Sequence, residues 1–286
     1  MIGPGSCPLC GVVPLRRLFE KGGRQFAACV KCGLEMQAPL PAAEALRSYY
    51  DAQFTDGMYA VFTAAEQMKT MTAKWRLKKM ARWIRPQGRW LDVGCANGVF
   101  VREAAALGVR VEGIDISGVA VKNAVAADLP VRRGVLADVE STAAFDCISA
   151  LDVIEHVPDP LAFLQDIVRR LRPGGHAVFT LPDKSSVFAR VMGARWWFYI
   201  ADEHLHYFDR AIMRALLDKV GLETLSIGRA FKPLTYDYGL TQFEAFNPLI
   251  HRAMKLASAI IPSSLRRRIV PLYIGEMMVI ARKPAD

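Results

Sequence analysis

Apolar and polar positions in this chain switch repeatedly between two periods. Trp90, Leu91 and Val93 form a short apolar run, which reads as a buried strand. Gly94, Cys95, Ala96, Asn97 and Gly98 follow as a turn of small residues. Val99–Leu107 then carries a helical pattern closed by Gly108, a residue suited to the left-handed cap of a helix. The rhythm repeats downstream. Val109–Ile114, Val131–Gly134, Phe145–Leu151 and HAVFTLP read as strands, and Leu161–Leu171 and Arg210–Val220 read as helices. LETLSIG is a further strand, and EMMVIARK is expected to be the last and to run antiparallel. Thr70–Arg85 predicts a helix with Ala73, Leu77, Met80 and Ile84 on one face. Its basic stripe of Lys74, Lys78, Arg82 and Arg85 reads first as a solvated face. Strands alternating with helices at this spacing predict an α/β fold: a Rossmann-like, seven-stranded, mostly parallel sheet with helices on both faces.

Three stretches fall outside that rhythm. APLPAAEAL, residues 38–46, marks a boundary, so residues 1–40 form one unit and 41–286 another. Tyr49, Tyr50, Phe54, Tyr59 and Phe62 follow in an aromatic-rich stretch that is expected to pack on the larger unit or to fold over a ligand. Residues 231–275 read as an insertion. Within it, residues 248–261 predict a helix with a wide apolar face and His251, Arg252 and Lys255 on the other side, followed by the run Arg266, Arg267, Arg268. A basic amphipathic helix beside an arginine run suits a membrane surface over 248–273, a dimer contact, or packing on the domain.

Composition sharpens this picture at two points. The 286 residues carry a net charge of +9, which favours anionic partners without selecting one. The first ten residues lack the basic start and apolar run of a secretory signal, and no apolar run reaches the length of a membrane span. A cytoplasmic protein is therefore expected, with peripheral contact at the inner membrane face as a further option. Four of the six cysteines occur as CPLC and CVKC, eighteen residues apart. In a chain read as cytoplasmic, that spacing predicts a structural zinc ribbon with Cys7, Cys10, Cys29 and Cys32 as ligands. Four thiolates leave no open position for catalysis.

The candidate chemistry collects after the strands. A glycine turn between strand and helix brings bare N–H groups and a helix N-terminus toward a polar ligand. Asp115, seventeen residues beyond Gly98, is placed to hold ribose hydroxyls, although a helix cap is an alternative that Ser117 fits better. Asp138 and Asp152 end the next two strand units. EHLHYFD places Glu203, His204 and His206 together. These suit a metal chemically, but not by any recognised ligand spacing. His204, with His156 as second choice, is the candidate general base. RWWFY, residues 195–199, is expected to line an acceptor pocket.

The motifs LDVGCANGVF, GIDIS, LADVES, FDCISALDVIEHVPDP, LRPGGHAVFTLP and EHLHYFDRAIMRALLDKVGLE occur in this order. Together they resemble the class I S-adenosylmethionine (SAM)-dependent methyltransferases, in the branch with D-V-G-C-x-x-G and L-E-H-V-x-D-P motifs. The resemblance implies Asp92, Gly94, Cys95, Ala96 and Gly98 around the methionine end of SAM. It also implies Asp115 and Ile116 at the ribose, Asp138 and Val139 at the adenine, and Leu151 and Asp152 beside the sulfonium. Ala96 stands where the family has its central turn glycine. A dinucleotide cofactor fits less well, because no G-x-G-x-x-G is present. The expected activity is O-methylation of a small-molecule, sugar or lipid-linked biosynthetic intermediate. An RNA methyltransferase gripping phosphates through the ribbon and the basic helix is an alternative, as is a non-catalytic adaptor with the same fold. The sequence leaves the oligomeric state open.

Overall fold

The structure is a computed structural model, and it describes residues 2–41, 66–140, 142, 144–201, 203–246 and 248–285. The aromatic stretch Tyr49–Phe62 lies outside the described residues. In the N-terminal part, β1 (Ile2–Cys7), β2 (Gly11–Lys21), β3 (Arg24–Cys29) and β4 (Glu35–Gln37) form an antiparallel meander. The two C-x-x-C turns lie at adjacent corners of it. Gly11 and Gly33 follow the turns in left-handed conformation with open space around them, which lets each pair of thiols curl inward.

Helix α1 (Glu66–Met80) comes next, starting four residues before the pattern predicted and ending five residues earlier. Then follow β5 (Arg89–Val93), α2 (Val99–Ala105), β6 (Arg110–Asp115), α3 (Gly118–Val125), β7 (Val131–Arg133), β8 (Phe145–Leu151), α4 (Pro160–Arg170) and β9 (Leu171–Pro182). The glycines after α4 lie inside β9 rather than in a separate cap, because Leu171 is already extended. Helix α5 (Val187–Met192) and the two-residue β10 (His206–Tyr207) precede α6 (Arg210–Lys219). The chain closes through β11 (Glu223–Leu234), α7 (Tyr236–Phe246), α8 (Pro248–Ala257), α9 (Ser263–Arg266) and β12 (Val270–Arg282).

The main sheet has the order β11-β12-β9-β8-β5-β6-β7. Its pairs are parallel except those of β12, which runs antiparallel to both β9 and β11. The seven-stranded sheet with its antiparallel last strand is therefore as the sequence predicts. Both long strands reach further than the pattern implied: β11 continues to Leu234 and β12 starts at Val270, so the excursion between them spans 235–269 rather than 231–275. Among the described residues, no helix is long and apolar enough to cross a membrane.

The two faces of the sheet are read directly from β12. Met277, Val279 and Ala281 pack on one side with Leu91, Val93, α4 and α6, while Met278 and Ile280 pack on the other with α1 and α2. Alternation at period two sorts successive side chains to opposite faces. The N-terminal sheet joins the first of these cores through Leu15, Ala27, Leu34 and Met36. It is also extended by the larger unit itself: β10 pairs antiparallel with β4, His206 opposite Met36 and Tyr207 opposite Glu35. Phe26, fully buried, sits against Tyr199 and Tyr207 at that junction. Truncation there leaves a large void between the two sheets. Phe26→Ala should lower stability by about 3–5 kcal/mol in urea unfolding, and a loss below about 1 kcal/mol would show that the junction carries little of the fold.

Candidate active site

The strand order reverses between β5 and β8, and in an open parallel sheet ligands settle at the carboxyl ends of strands beside such a switch. A cleft of about 1250 Å³ opens there. Its first wall is the turn after β5. Gly94 and Gly98 adopt positive φ, and a side chain at either would strike Val153 or Leu129. Ala96 also lies in the left-handed region, at φ 48, a conformation that alanine adopts at a cost. Its N–H donates to Asp115 Oδ2 at 2.7 Å, and the Ser117 N–H donates to Asp115 Oδ1 at 2.8 Å. Asp115 therefore fixes the turn and also lines the cleft. Ser117 caps α3 by accepting from the Ala120 N–H, so the two roles weighed for Asp115 fall on two residues.

Asp92, Gly94, Cys95, Ala96, Asp115, Ile116, Leu151 and Asp152 all line the cleft. Gly98 stands behind it as the N-cap of α2. Cys95 packs its sulfur close to Gly113, and burial raises its thiol pKa far above the ordinary value, so it fills space. The two expected adenine contacts, Asp138 and Val139, are not among the residues lining the cleft. Asp138 accepts the Val135 N–H at 2.8 Å, closing a tight helical turn. That turn carries Val139 into the core. Gly134, Val135 and Leu136 form the wall instead.

Asp92 is buried and accepts from Ser149 Oγ at 2.6 Å; burial pushes its carboxyl up to about 7. Asp152 behaves in the opposite way. Burial would raise it, but Arg76 and then Lys232 outweigh burial and hold it well below the carboxylate range. Arg76 donates to Oδ2 at 2.7 Å, Thr180 Oγ1 donates to Oδ1 at 2.8 Å, and Lys232 lies 3.8 Å away while pairing with Glu276. Sequence reasoning missed Arg76, Lys232 and Glu276. Arg76 carried a readable signal, since it lies three residues after Ala73 and one before Leu77, at the edge of the apolar face of its helix.

The opposite wall carries the histidines. His204 Nδ1 lies 2.8 Å from the Phe198 carbonyl and His156 Nδ1 lies 3.0 Å from the Glu203 carbonyl. A carbonyl only accepts, so in each neutral ring Nδ1 holds the proton and Nε2 keeps its lone pair. Burial, with His156 alongside, lowers His204 to about 3, and burial lowers His156 as well. The two rings meet edge to face at 4.7 Å, and Glu155 Oε1 lies 3.9 Å from His156 Nε2. Burial and the charge of Asp152 push its carboxyl well above the usual range, and its Oε2 has no hydrogen-bond partner among the described residues. One donor atom from each of Glu155, His156 and His204 falls within 4.8 Å of the others, a set that could hold a divalent cation. The grouping of Glu203, His204 and His206 does not form, because β10 turns His206 into the core beside Phe208. RWWFY divides: Trp197 and Phe198 line the cleft, while Trp196 and Tyr199 are buried against the N-terminal sheet.

The four N-terminal cysteines are free thiols with one sulfur of each within 4.8 Å of the rest; Cys7 and Cys32 lie 3.6 Å apart. A disulfide needs about 2 Å, whereas sulfurs about 2.3 Å from a tetrahedral zinc lie about 3.8 Å apart. Backbone N–H groups of Cys32 and Lys31 overcome burial and lower Cys29 to about 7, which favours thiolate. The set fits zinc.

A family profile described as "Methyltransferase domain" matches residues 64–227. This chain belongs to the class I SAM-dependent methyltransferases. The ubiquinone biosynthesis O-methyltransferase of Alkalilimnicola ehrlichii is 32% identical over 180 residues, 57% of this chain and 72% of the relative. The protein of that name from Psychrobacter cryohalolentis is 33% identical over 181 residues, 56% of this chain and 69% of the relative. Among solved structures, magnesium protoporphyrin IX methyltransferase from Synechocystis, with bound S-adenosylhomocysteine, shares the fold at TM-score 0.56 and 14% identity, over 85% of this chain and all of that one. The 1,6-didemethyltoxoflavin-N1-methyltransferase of Burkholderia thailandensis does so at TM-score 0.53 and 19% identity, over 94% and 99%. SAM is thus the cofactor of this enzyme, and when bound it supplies an electrophilic methyl group.

SAM is cationic, so it binds best when Asp92 is ionised. SAM affinity should rise by about tenfold per pH unit below pH 7 and level off above it. Isothermal titration checks this, and Asp92→Asn should flatten the profile at the weaker level. A wild-type profile already flat from pH 5.5 to 8 (roughly the range straddling the raised carboxyl) would remove Asp92 from cofactor binding.

Proposed function

We propose that this enzyme transfers the methyl of SAM to a hydroxyl oxygen of a lipid-linked biosynthetic intermediate, with an aromatic or similarly flat apolar body. The carrying observation is the extension of the cleft. Besides the histidines, its lining takes in Phe188 of α5, Tyr236, Met254 and Leu265 of the 235–269 excursion, and Leu272 of β12, with Trp197. An apolar lining of this extent rewards burial of a long apolar substituent. The O-methyltransferase names of the relatives support oxygen as the acceptor atom.

The chemistry then rests on alignment. Asp115 and the glycine turn hold one end of SAM, and Asp92 and the Leu151–Asp152 corner lie nearest its charged end. An acceptor hydroxyl against Nε2 of His204 or His156 gives up its proton there as the oxygen attacks the methyl in line. Glu155, held protonated, donates a hydrogen bond to a second oxygen on the acceptor. The four-cysteine centre is structural zinc in this reading, and supplies no step.

The surface of the excursion supports the lipidic reading. Leu256, Ile260 and Leu265 are exposed beside Arg252, Lys255, Arg267 and Arg268. Apolar side chains next to cations suit contact with an anionic bilayer, the environment of a lipid-linked acceptor.

The test is methyl transfer from radiolabelled SAM into a native extract, fractionated into organic-soluble, aqueous, protein and RNA material. Label should enter the organic fraction. His204→Ala should cut that turnover by about 10²–10⁴-fold with SAM affinity retained. Label in RNA, lost on ribonuclease treatment, would replace this substrate class with a nucleic acid.

A further inference from the structure

The segment from Trp196 to Tyr207 has two faces. Toward the cleft it presents Trp197, Phe198, Ile200, Glu203 and His204. On its other side it is held by the N-terminal sheet. Trp196, Tyr199 and Tyr207 are buried in one cluster with Phe26, and the rings of Phe19 and Tyr199 meet edge to face at 4.8 Å. Lys21 Nζ donates to the Trp196 carbonyl at 3.3 Å.

The polar ties converge on β4. The Gln37 N–H donates to the Leu205 carbonyl at 2.9 Å. The fully buried Gln37 side chain donates through Nε2 to the carbonyls of His204, at 2.8 Å, and Ile200, at 3.3 Å. Glu35 receives the Tyr199 hydroxyl on one carboxylate oxygen and Lys184 on the other, at 3.0 Å. A buried loop must find partners for its backbone groups, and here the neighbouring sheet supplies them. The loop between Phe198 and His204 is closed from inside by the Phe198 carbonyl on His204 Nδ1 and from outside by Gln37.

The link to the cysteines is short. Cys32 stands three residues before Glu35, and the turn between them is locked by Cys29 N–H to Leu34 O and Gly33 N–H to Cys29 O, both at 2.9 Å. In contrast, the described residues lining the cofactor side belong to α1 and α2, to β5, β6 and β8 with the turns after them, and to the turn after β7, with none from the N-terminal sheet.

We infer that Glu35 and Gln37 are positioning residues: β4, anchored by the four-cysteine centre, sets the acceptor wall and the orientation of His204, so that centre governs acceptor use and leaves SAM binding alone. The inference rests on the reading that the acceptor docks against this wall. A shift of one ångström in a reacting group can cost a large part of the rate; Gln37 Nε2 shares the His204 carbonyl with the Tyr207 hydroxyl, which donates to it at 2.7 Å, and of the two Gln37 is the one that belongs to β4.

The test compares the wild type with Gln37→Met, which keeps the volume and removes the donor, and with Glu35→Gln, a partly exposed site that tolerates the change. Zinc content and SAM affinity by titration should match the wild type in both. Amide exchange over 196–207 should accelerate. With a phenol carrying a long alkyl chain as probe, kcat/KM should fall by about 10–100-fold in Gln37→Met, with kcat contributing to the loss, and by less in Glu35→Gln. Unchanged exchange in both variants, or faster exchange with unchanged kcat/KM, would overturn the inference. If Gln37→Met does not fold, Glu35→Gln carries the test alone. A wild type that leaves the probe unmethylated would count against the substrate reading, while exchange and SAM affinity would still decide whether β4 holds the wall.

Discussion

Asp152 is the constraint on which the cleft depends. It leaves β8 with a φ of 60, a conformation that a residue with a side chain holds only when its surroundings demand it. The demand comes from four elements at once: Arg76 on α1, Thr180 on β9, Lys232 on β11 and, through Lys232, Glu276 on β12. Charges grouped in a poorly hydrated floor are stable only together, since removing one leaves the others uncompensated. The cluster therefore pins a helix and three strands to one carboxylate. It also sets the path of the next residues, and that path delivers Glu155 and His156 to the opposite wall.

The cleft is built from two sources. Its cofactor half comes from the strand ends of the parallel sheet and their short turns, where backbone N–H groups and carboxylates are fixed by the sheet itself. Its acceptor half comes from later or remote parts of the chain: the 196–207 segment, the 235–269 excursion and, behind the first of these, the N-terminal sheet. The family match spans 64–227, so the common domain contains the strand-end turns and the 196–207 segment, whereas the 235–269 excursion that also lines the cleft lies beyond it.

That division also decides what the sequence reveals. The glycine turn, Asp115 and the paired C-x-x-C turns are local patterns, each legible within a few residues because the local backbone performs the task. The seven strands were legible from their periods for the same reason. The turn that Asp138 closes on the Val135 N–H was not legible, because an acidic residue after a short strand reads alike whether it faces a ligand or closes its own turn. Arg76, Lys232 and Glu276 were hidden because each looks like an ordinary charged position, and only tertiary packing turns all three toward Asp152. The pairing of β10 with β4 joins two residues to a strand some 170 positions away, His206 opposite Met36, and neither strand is long enough to carry a period. The reach of β11 and β12 into the excursion was obscured by prolines and charges, which two long paired edges tolerate where they leave the main sheet.

The most direct test of this account is a crystal structure with S-adenosylhomocysteine and a long-chain alkyl phenol bound together. The account predicts the cofactor ribose on Asp115, the sulfur beside Leu151 and Asp152, and the phenol oxygen between that sulfur and the Nε2 atoms of His156 and His204, with the tail running past Trp197 and Leu265. A phenol oxygen turned away from both histidines, or a tail lying outside the apolar part of the cleft, would contradict it.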